Sequence, residues 1–176
     1  MAVVTIARQF GAGGRTIGNR LAKELDYRFL DDVVLQELAR RVNVTEEAVQ
    51  DVESIAGGVF SRIVSAMLSR SYMERLTGAD FGYIDQVIYL KTLKEIILDL
   101  ARKDNVILLG RGGQYVLEDH PKAIHILMVG EKKHRVAFMQ NNYNLKPAQA
   151  EDAVEEGEKR RRQLYSLFRK TDYNDP

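Results

Sequence analysis

The stretch Phe10-Gly11-Ala12-Gly13-Gly14-Arg15-Thr16-Ile17-Gly18 has the residue types and spacing of a phosphate-binding loop. Its glycines let consecutive backbone N–H groups turn toward one anion, and the free N–H groups and dipole of a following helix add positive potential. Aligned on the form of the loop G-x-x-x-x-G-K-[ST] in which one further residue separates the lysine from the hydroxyl, Thr16 supplies the hydroxyl that ligates magnesium, and Gly11 and Gly13 become the inner glycines. Gly14 then stands where the lysine is usual, and Arg8 where the first glycine is. The loop keeps its backbone and relocates its cations, with Arg15 or Arg8 to bring the missing charge. Residues Gly11, Ala12, Gly13, Gly14, Arg15, Thr16 and Ile17 are the candidate phosphate contacts, and Thr16 is the candidate metal ligand.

Two other readings compete. The glycines could make a turn with no ligand, although such a turn rarely needs so many of them. They could also open a dinucleotide fingerprint, because Asp31 and Asp32 end the next apolar run about 20 residues on, where a ribose-binding acid is expected. Against that, Gly11-x-Gly13 demands glycine at position 16 for close helix packing, and Thr16 stands there.

Phosphoryl transfer requires cations around the transferring group, because its transition state spreads negative charge over the phosphoryl oxygens. Arg15 lies in the loop, Arg111 between Gly110 and Gly112, Arg135 near a helix start, and Arg161 within Lys159-Arg160-Arg161-Arg162. At about 100° per residue, Ala150, Val154, Gly157, Arg161, Leu164 and Phe168 share one stripe of a helix, so Arg161 turns inward and its neighbours reach water. An inward cation needs an anionic partner. His125, inside a strand, is expected to be packed, and no general base is evident.

The elements that must position these groups follow from apolar period. Val3-Val4-Thr5-Ile6-Ala7 reads as a strand entering the loop, and Ile17, Leu21 and Leu25 recur every four residues in the helix leaving it. Tyr27 to Leu30 is a short second strand, and Asp31-Asp32, with Asp32 favoured, cap a helix carrying Val34, Leu35, Leu38 and Val42. Thr45-Glu46-Glu47 opens another helix. A mobile, helical middle region with Val59, Phe60, Ile63, Val64 and Leu68 follows Gly57-Gly58. A helix from Leu90 through Ala101 leads to a continuous apolar strand, Val106 to Leu109, as in a parallel sheet covered on both faces. Ala123 to Val129 is a further strand, Glu131 to Met139 a helix, and Pro147 to Phe168 a last long helix. Alternating strands and helices predict an α/β fold with ligands at the carboxyl ends of the strands.

The composition narrows the classes. With 176 residues the chain supports one domain, and a net charge of +1 from 26 basic and 25 acidic residues argues against a nucleic-acid or membrane-surface binder. Zero cysteines exclude disulfides and thiolate metal sites, and the scattered His120, His125 and His134 disfavour zinc. No run is long enough to span a membrane, and the expected compartment is the cytoplasm.

The loop resembles that of the cytidylate kinase-like family of P-loop proteins, which runs F-G-[SA]-G-G-R-x-I-G and also lacks the lysine. The resemblance extends to the strand end Phe29-Leu30-Asp31, to Val106 through Gly113 (family V-I-x-G-R-G) and to Asp172-Tyr173-Asn174-Asp175-Pro176 (family D-W-G-D-P). It implies a three-layer P-loop kinase fold with a parallel sheet and a helical lid insertion. It also implies ATP and Mg2+, a nucleotide acceptor for which cytidine compounds are the guess, and transfer of the γ-phosphoryl group. By the same resemblance Arg135 and Arg161, with Arg15, act on the transferring phosphate, and Asp31 and Arg111 lie beside the acceptor. Residues 1–176 form one domain, with about 43–90 as the helical acceptor-binding region and about 140–170 as the lid and following helix. Two departures stand out, Phe138 where the family has a second arginine and Leu109 where related kinases carry an acid near magnesium, while Gly14 leaves the loop, as in the family, without its lysine. A binding module that has lost transfer is therefore the main alternative. Similar proteins continue beyond Pro176 into another strand, so self-association as a homodimer through the Ala123–Val129 edge, or weak ATP binding, is expected of this chain.

Overall fold

The computed structural model describes residues 2–55 and 84–168. The expected helical segment from Val59 to Leu68 and the motif Asp172 to Pro176 lie outside the described residues. In chain order the elements are β1 (Val3–Arg8), α1 (Gly14–Leu25), β2 (Arg28–Leu30), α2 (Asp32–Val42), α3 (Glu46–Ile55), α4 (Gln86–Ala101), β3 (Val106–Leu109), α5 (Gly113–Val116), β4 (Ala123–Met128), α6 (Lys132–Tyr143) and α7 (Pro147–Ser166). The predicted strands and long helices are present within a few residues, and the single turn α5 is the addition.

The strands form a parallel sheet in the order β2-β3-β1-β4. Val3 to Ile6 of β1 register with Val106 to Leu109 of β3, and Val3 to Arg8 register with Ala123 to Met128 of β4. Side chains alternate across a strand, so the two continuous apolar runs at the centre serve two cores at once. Val3, Val106 and Leu108 face α2, α4 and α5, where Leu38, Leu93, Ile97 and Leu117 are buried. Val4, Ile6, Ile107 and Leu109 face α1 and the ring of Phe29. The fold is therefore α/β, with helices on both faces of the sheet.

The face that α1 buries differs from the apolar period. Gly14, Gly18 and Ala22 are buried, whereas Ile17 is 51% and Leu25 45% exposed. A Cβ at Gly18 would run into the Phe29 ring, so the small residues let the helix lie close against the strands. The cap of α2 also differs: Asp31 is the N-cap residue, and its side chain makes no capping hydrogen bond. Both aspartates are drawn instead to Arg15. Elsewhere the Thr45 hydroxyl opens α3 as expected, accepting from the Ala48 N–H at 3.2 Å, and the structure adds a cap at the start of α4, where Asp85 accepts from Val87 and Ile88.

Pairing of β1 with β3 fixes the location of the site. The Gly110 N–H donates to the Ile6 carbonyl at 2.9 Å, so the chain leaves both strands at the same point. The glycine loop and the Gly110–Gly113 turn emerge side by side at the sheet edge where strand order reverses, the usual ligand position in such sheets.

Candidate functional site

Gly11 and Gly13 hold φ of +79° and +77°, left-handed values that glycine adopts without penalty. Gly13 is the N-cap of α1. The first helical bond at this end runs from the Ile17 N–H to the Gly13 carbonyl at 3.0 Å. The N–H groups of Gly14, Arg15 and Thr16 precede it and have no carbonyl of the helix to pair with. They border a cavity of about 260 Å³ lined by the loop from Arg8 to Thr16, by Phe138, Met139 and Tyr143 of α6, and by Arg161 of α7. A cradle of this shape fits phosphate oxygens, and Thr16 on its wall is the residue that would hold magnesium. Among the described residues no cluster of three or more His, Cys, Asp or Glu could hold a metal ion. Leu109, at the strand end where an acid was missed, is 3% exposed.

A second cavity of about 400 Å³ opens on the other side of the strand ends. Arg8, Arg111, Arg160 and Arg161 line it, together with Glu53 and Tyr165. Arg8 and Arg161 border both cavities.

The five candidate charged residues end up in different situations. Arg15, in the first turn of α1, places Nε 2.7 Å from Asp31 and Nη2 3.1 Å from Asp32. These pairs raise its pKa, the Asp31 hydrogen bond most of all. Asp31 is buried and also receives Arg111, whose Nη1 donates to its carbonyl at 3.4 Å. Arg111 has φ +50° between Gly110 at +74° and Gly112 at +69°. A left-handed non-glycine residue costs roughly 1 kcal/mol, and here it aims the guanidinium at Glu53, 3.1 Å away. Glu53 accepts from the buried Tyr89 hydroxyl as well, at 2.7 Å. Burial, with the Glu53 charge beside it, pushes the Tyr89 phenol well above its ordinary value, so it stays a donor.

Arg135 is already engaged. Its Nη1 is 2.9 Å from Glu158 and 3.1 Å from the Phe10 carbonyl, and its Nε donates to the Gly130 carbonyl at 2.9 Å. Glu158 in turn accepts from the Phe10 N–H. The pair thus grips both peptide groups of Phe10 at the entrance to the loop. The Phe10 ring packs on Gly157 of α7, where a Cβ would overlap it.

Arg161 is turned inward while Lys159, Arg160 and Arg162 are exposed, as the helical stripe predicts. Its guanidinium carbon lies 4.9 Å from the centre of the Phe10 ring, and Nη1 donates to the Arg8 carbonyl at 3.3 Å. Burial, with Arg8 nearby, lowers its pKa to about 10. Burial likewise lowers that of Arg8. Guanidinium groups stay protonated in proteins, so these shifts describe desolvated cations for which an anion would be stabilising. Among the described residues neither one forms an ion pair.

His125 departs from expectation. It is exposed on β4, one of the two edge strands among the described residues, and its Nδ1 lies 2.7 Å from the Thr5 hydroxyl. Glu53, Glu158, Phe10 and Tyr165 were not among the candidates. The stripe that exposes Arg161 also carries a signal for Glu158, one turn after Val154, and Glu53 stands one turn after the fully buried Val49. Neither Phe10 nor Tyr165 has such a signal, because an aromatic residue in an apolar position looks like core.

A parallel sheet covered on both faces, a glycine loop at its reversal point and cations at the neighbouring strand end define a P-loop kinase-like α/β protein. The sequence matches the model of the cytidylate kinase-like family over residues 3–176, and the chain belongs to that family. Its loop is the variant without the lysine. Among solved structures it overlays on an uncharacterized protein from Eubacterium ventriosum ATCC 27560 with a TM-score of 0.66 at 15% identity, covering 99% of this chain and 82% of that one. The shikimate kinase of Bacteroides thetaiotaomicron overlays at 0.49 and 11% identity, covering 96% and 83%. The first likeness shows a shared fold, and the second is too loose to say more. No curated protein matches the sequence.

Proposed function

We propose that this chain is a nucleotide kinase-like phosphotransferase that uses ATP with magnesium and phosphorylates a nucleoside monophosphate, cytidylate being the acceptor the family suggests. One observation carries the reading: the phosphate-loop cavity and the arginine-lined cavity meet at Arg8 and Arg161. A donor phosphate in the first and an acceptor in the second would face each other across two desolvated cations. When bound, magnesium-ATP supplies the phosphoryl group, whose bond to the bridging oxygen breaks as the acceptor oxygen bonds to phosphorus and ADP leaves with the electron pair.

The residues then divide the work. Loop N–H groups hold the donor, and Thr16 holds the metal. Arg161 stabilises charge on the transferring group, which is where such cations have most effect. Arg111, aimed by its left-handed backbone and braced by Glu53 and Asp31, orients the acceptor, with Arg160 at the cavity wall. Arg135 serves through Phe10, holding the loop in shape. The family's lid falls at about 140–170 and its acceptor-binding helices at about 43–90 in this reading.

A monophosphate acceptor also agrees with the lack of a general base. A phosphate monoester is largely dianionic at neutral pH, with a second pKa near about 6, so its attacking oxygen carries no proton to remove. A hydroxyl acceptor would need one.

Purified protein, ATP and magnesium, incubated with a panel of nucleosides and nucleoside monophosphates, tests this directly. ADP and a nucleoside diphosphate are the expected products. Transfer to nucleosides alone would refute the acceptor class. ATP binding without transfer to any of them would favour the second reading, a nucleotide-binding regulatory module, for which the buried Leu109 in place of an acid is the specific support.

A further inference from the structure

The loop lacks its lysine at Gly14, and the structure puts another cation in that space. Arg8 is the last residue of β1, and its side chain runs between two glycine α-carbons. A Cβ at Gly14 would lie 2.9 Å from Arg8 Cγ and 3.3 Å from Cδ, and a Cβ at Gly110 would overlap its Nη1. The Arg8 stem therefore fills the room a side chain at Gly14 would leave through, while its head group sits over the end of β3. There it borders both the loop cavity and the arginine-lined cavity. Arg15, the other loop cation, is 59% exposed and already neutralised by Asp31 and Asp32. Among the described residues no carboxylate pairs with Arg8. The Arg161 bond to its carbonyl holds the backbone from which it projects.

We infer that Arg8 is the catalytic cation that replaces the absent lysine, reaching the terminal phosphate of the donor from the strand that precedes the loop instead of from the helix that follows it. Arg8 passes over both Gly14 and Gly110, and at Gly14, whose φ is not left-handed, its stem is the contact that excludes a side chain. This rests on the phosphotransfer reading above. It adds which residue touches the transferring phosphate and why the lysine position is vacant. A lysine placed at Gly14 would compete with Arg8 for one channel, so the two arrangements are alternatives.

Arg8→Gln keeps the stem between the glycines and removes the charge, and Arg8→Lys restores a charge on a similar stem. Calorimetric titration with magnesium-ATP and magnesium-ADP separates the terminal phosphate from the rest of the nucleotide. Arg8→Gln is expected to bind ADP within about threefold of wild type, to lose about tenfold or more on ATP, and to lose about 10²-fold or more in transfer. Arg8→Lys should recover much of the ATP preference, and Arg20→Ala, on the outer face of α1, should leave both affinities alone. An unchanged ATP-to-ADP ratio in Arg8→Gln, or an equal loss on both nucleotides, overturns the assignment and leaves Arg8 as packing. If wild type itself binds neither nucleotide, the phosphotransfer reading fails first. If it binds without transferring, the ratio of affinities still decides the role of Arg8.

Discussion

Arg135 and Glu158 lie 2.9 Å apart with their side chains only 11% and 10% exposed, and between them they hold the carbonyl and the N–H of Phe10. One buried ion pair thus ties α6 and α7 to the entrance of the phosphate loop. Removing one partner of such a pair strands a charge, which typically costs about 3–5 kcal/mol. Arg135→Ala is expected to lower the melting temperature sharply, and the double variant Arg135→Met with Glu158→Leu should regain much of it. If the pair acts as a clamp, ATP affinity stays low in the double variant although stability returns, because neither new side chain can bond the carbonyl and N–H of Phe10. ATP affinity and transfer both at wild type in Arg135→Ala alone would show that the clamp does not matter.

The basic run on α7 should behave as three kinds of residue. Arg161→Ala is expected to cut transfer by about 10²-fold or more, because it removes a desolvated cation at the junction of the cavities. Arg162→Ala should change little. Arg160→Ala, at the wall of the larger cavity, should raise the KM for the acceptor and leave the affinity for ATP unchanged. Similar losses from all three, measured by steady-state kinetics, would mean that the run acts as a diffuse positive surface.

Gly13 tests the loop backbone. At φ +77° a Cβ costs about 1–2 kcal/mol, and the closest atom it would meet is a Phe138 ring carbon at 3.7 Å, an ordinary contact. Gly13→Val should therefore leave a folded protein that melts somewhat lower and no longer binds nucleotide. Retained ATP affinity would make the loop a structural turn and remove the basis for phosphoryl transfer.

Away from the site, Glu37 offers a pH prediction. Hydrogen bonds from Arg40 and Arg41 lower its pKa to about 2, and Arg41 also reaches Asp99 of α4 at 2.8 Å. A carboxylate depressed in the folded state adds stability above its unfolded value of about 4.5. That contribution is lost as pH falls toward about 2. Glu37 is 27% exposed, so screening keeps the effect at about 1 kcal/mol or less. Glu37→Gln should be slightly less stable than wild type at pH 7 in urea titrations, with the gap closing between pH 4.5 and 2. A gap that persists at pH 2 would assign the loss to packing.

The local pattern already determined the order of elements, the loop and the inward turn of Arg161, because each depends on periods and spacings within a few residues. A continuous apolar run such as Val106 to Leu109 can only be satisfied by cover on both faces, so the layered α/β fold was legible before any coordinates. Which cation is paired and which is free was not. Arg15 meets Asp31 and Asp32, and Arg135 meets Glu158, across separations in the chain that no local pattern encodes. The exposure of Ile17 also depended on tertiary packing, since closeness to Phe29 favoured the glycine face of α1 over its apolar one. Most of all, only the pairing of β1 with β3 brings Gly110 beside Gly14 and lays Arg8 between them. Which arginine lies over both the glycine loop and the end of β3 was thus decided by strand register, a relationship between segments about a hundred residues apart.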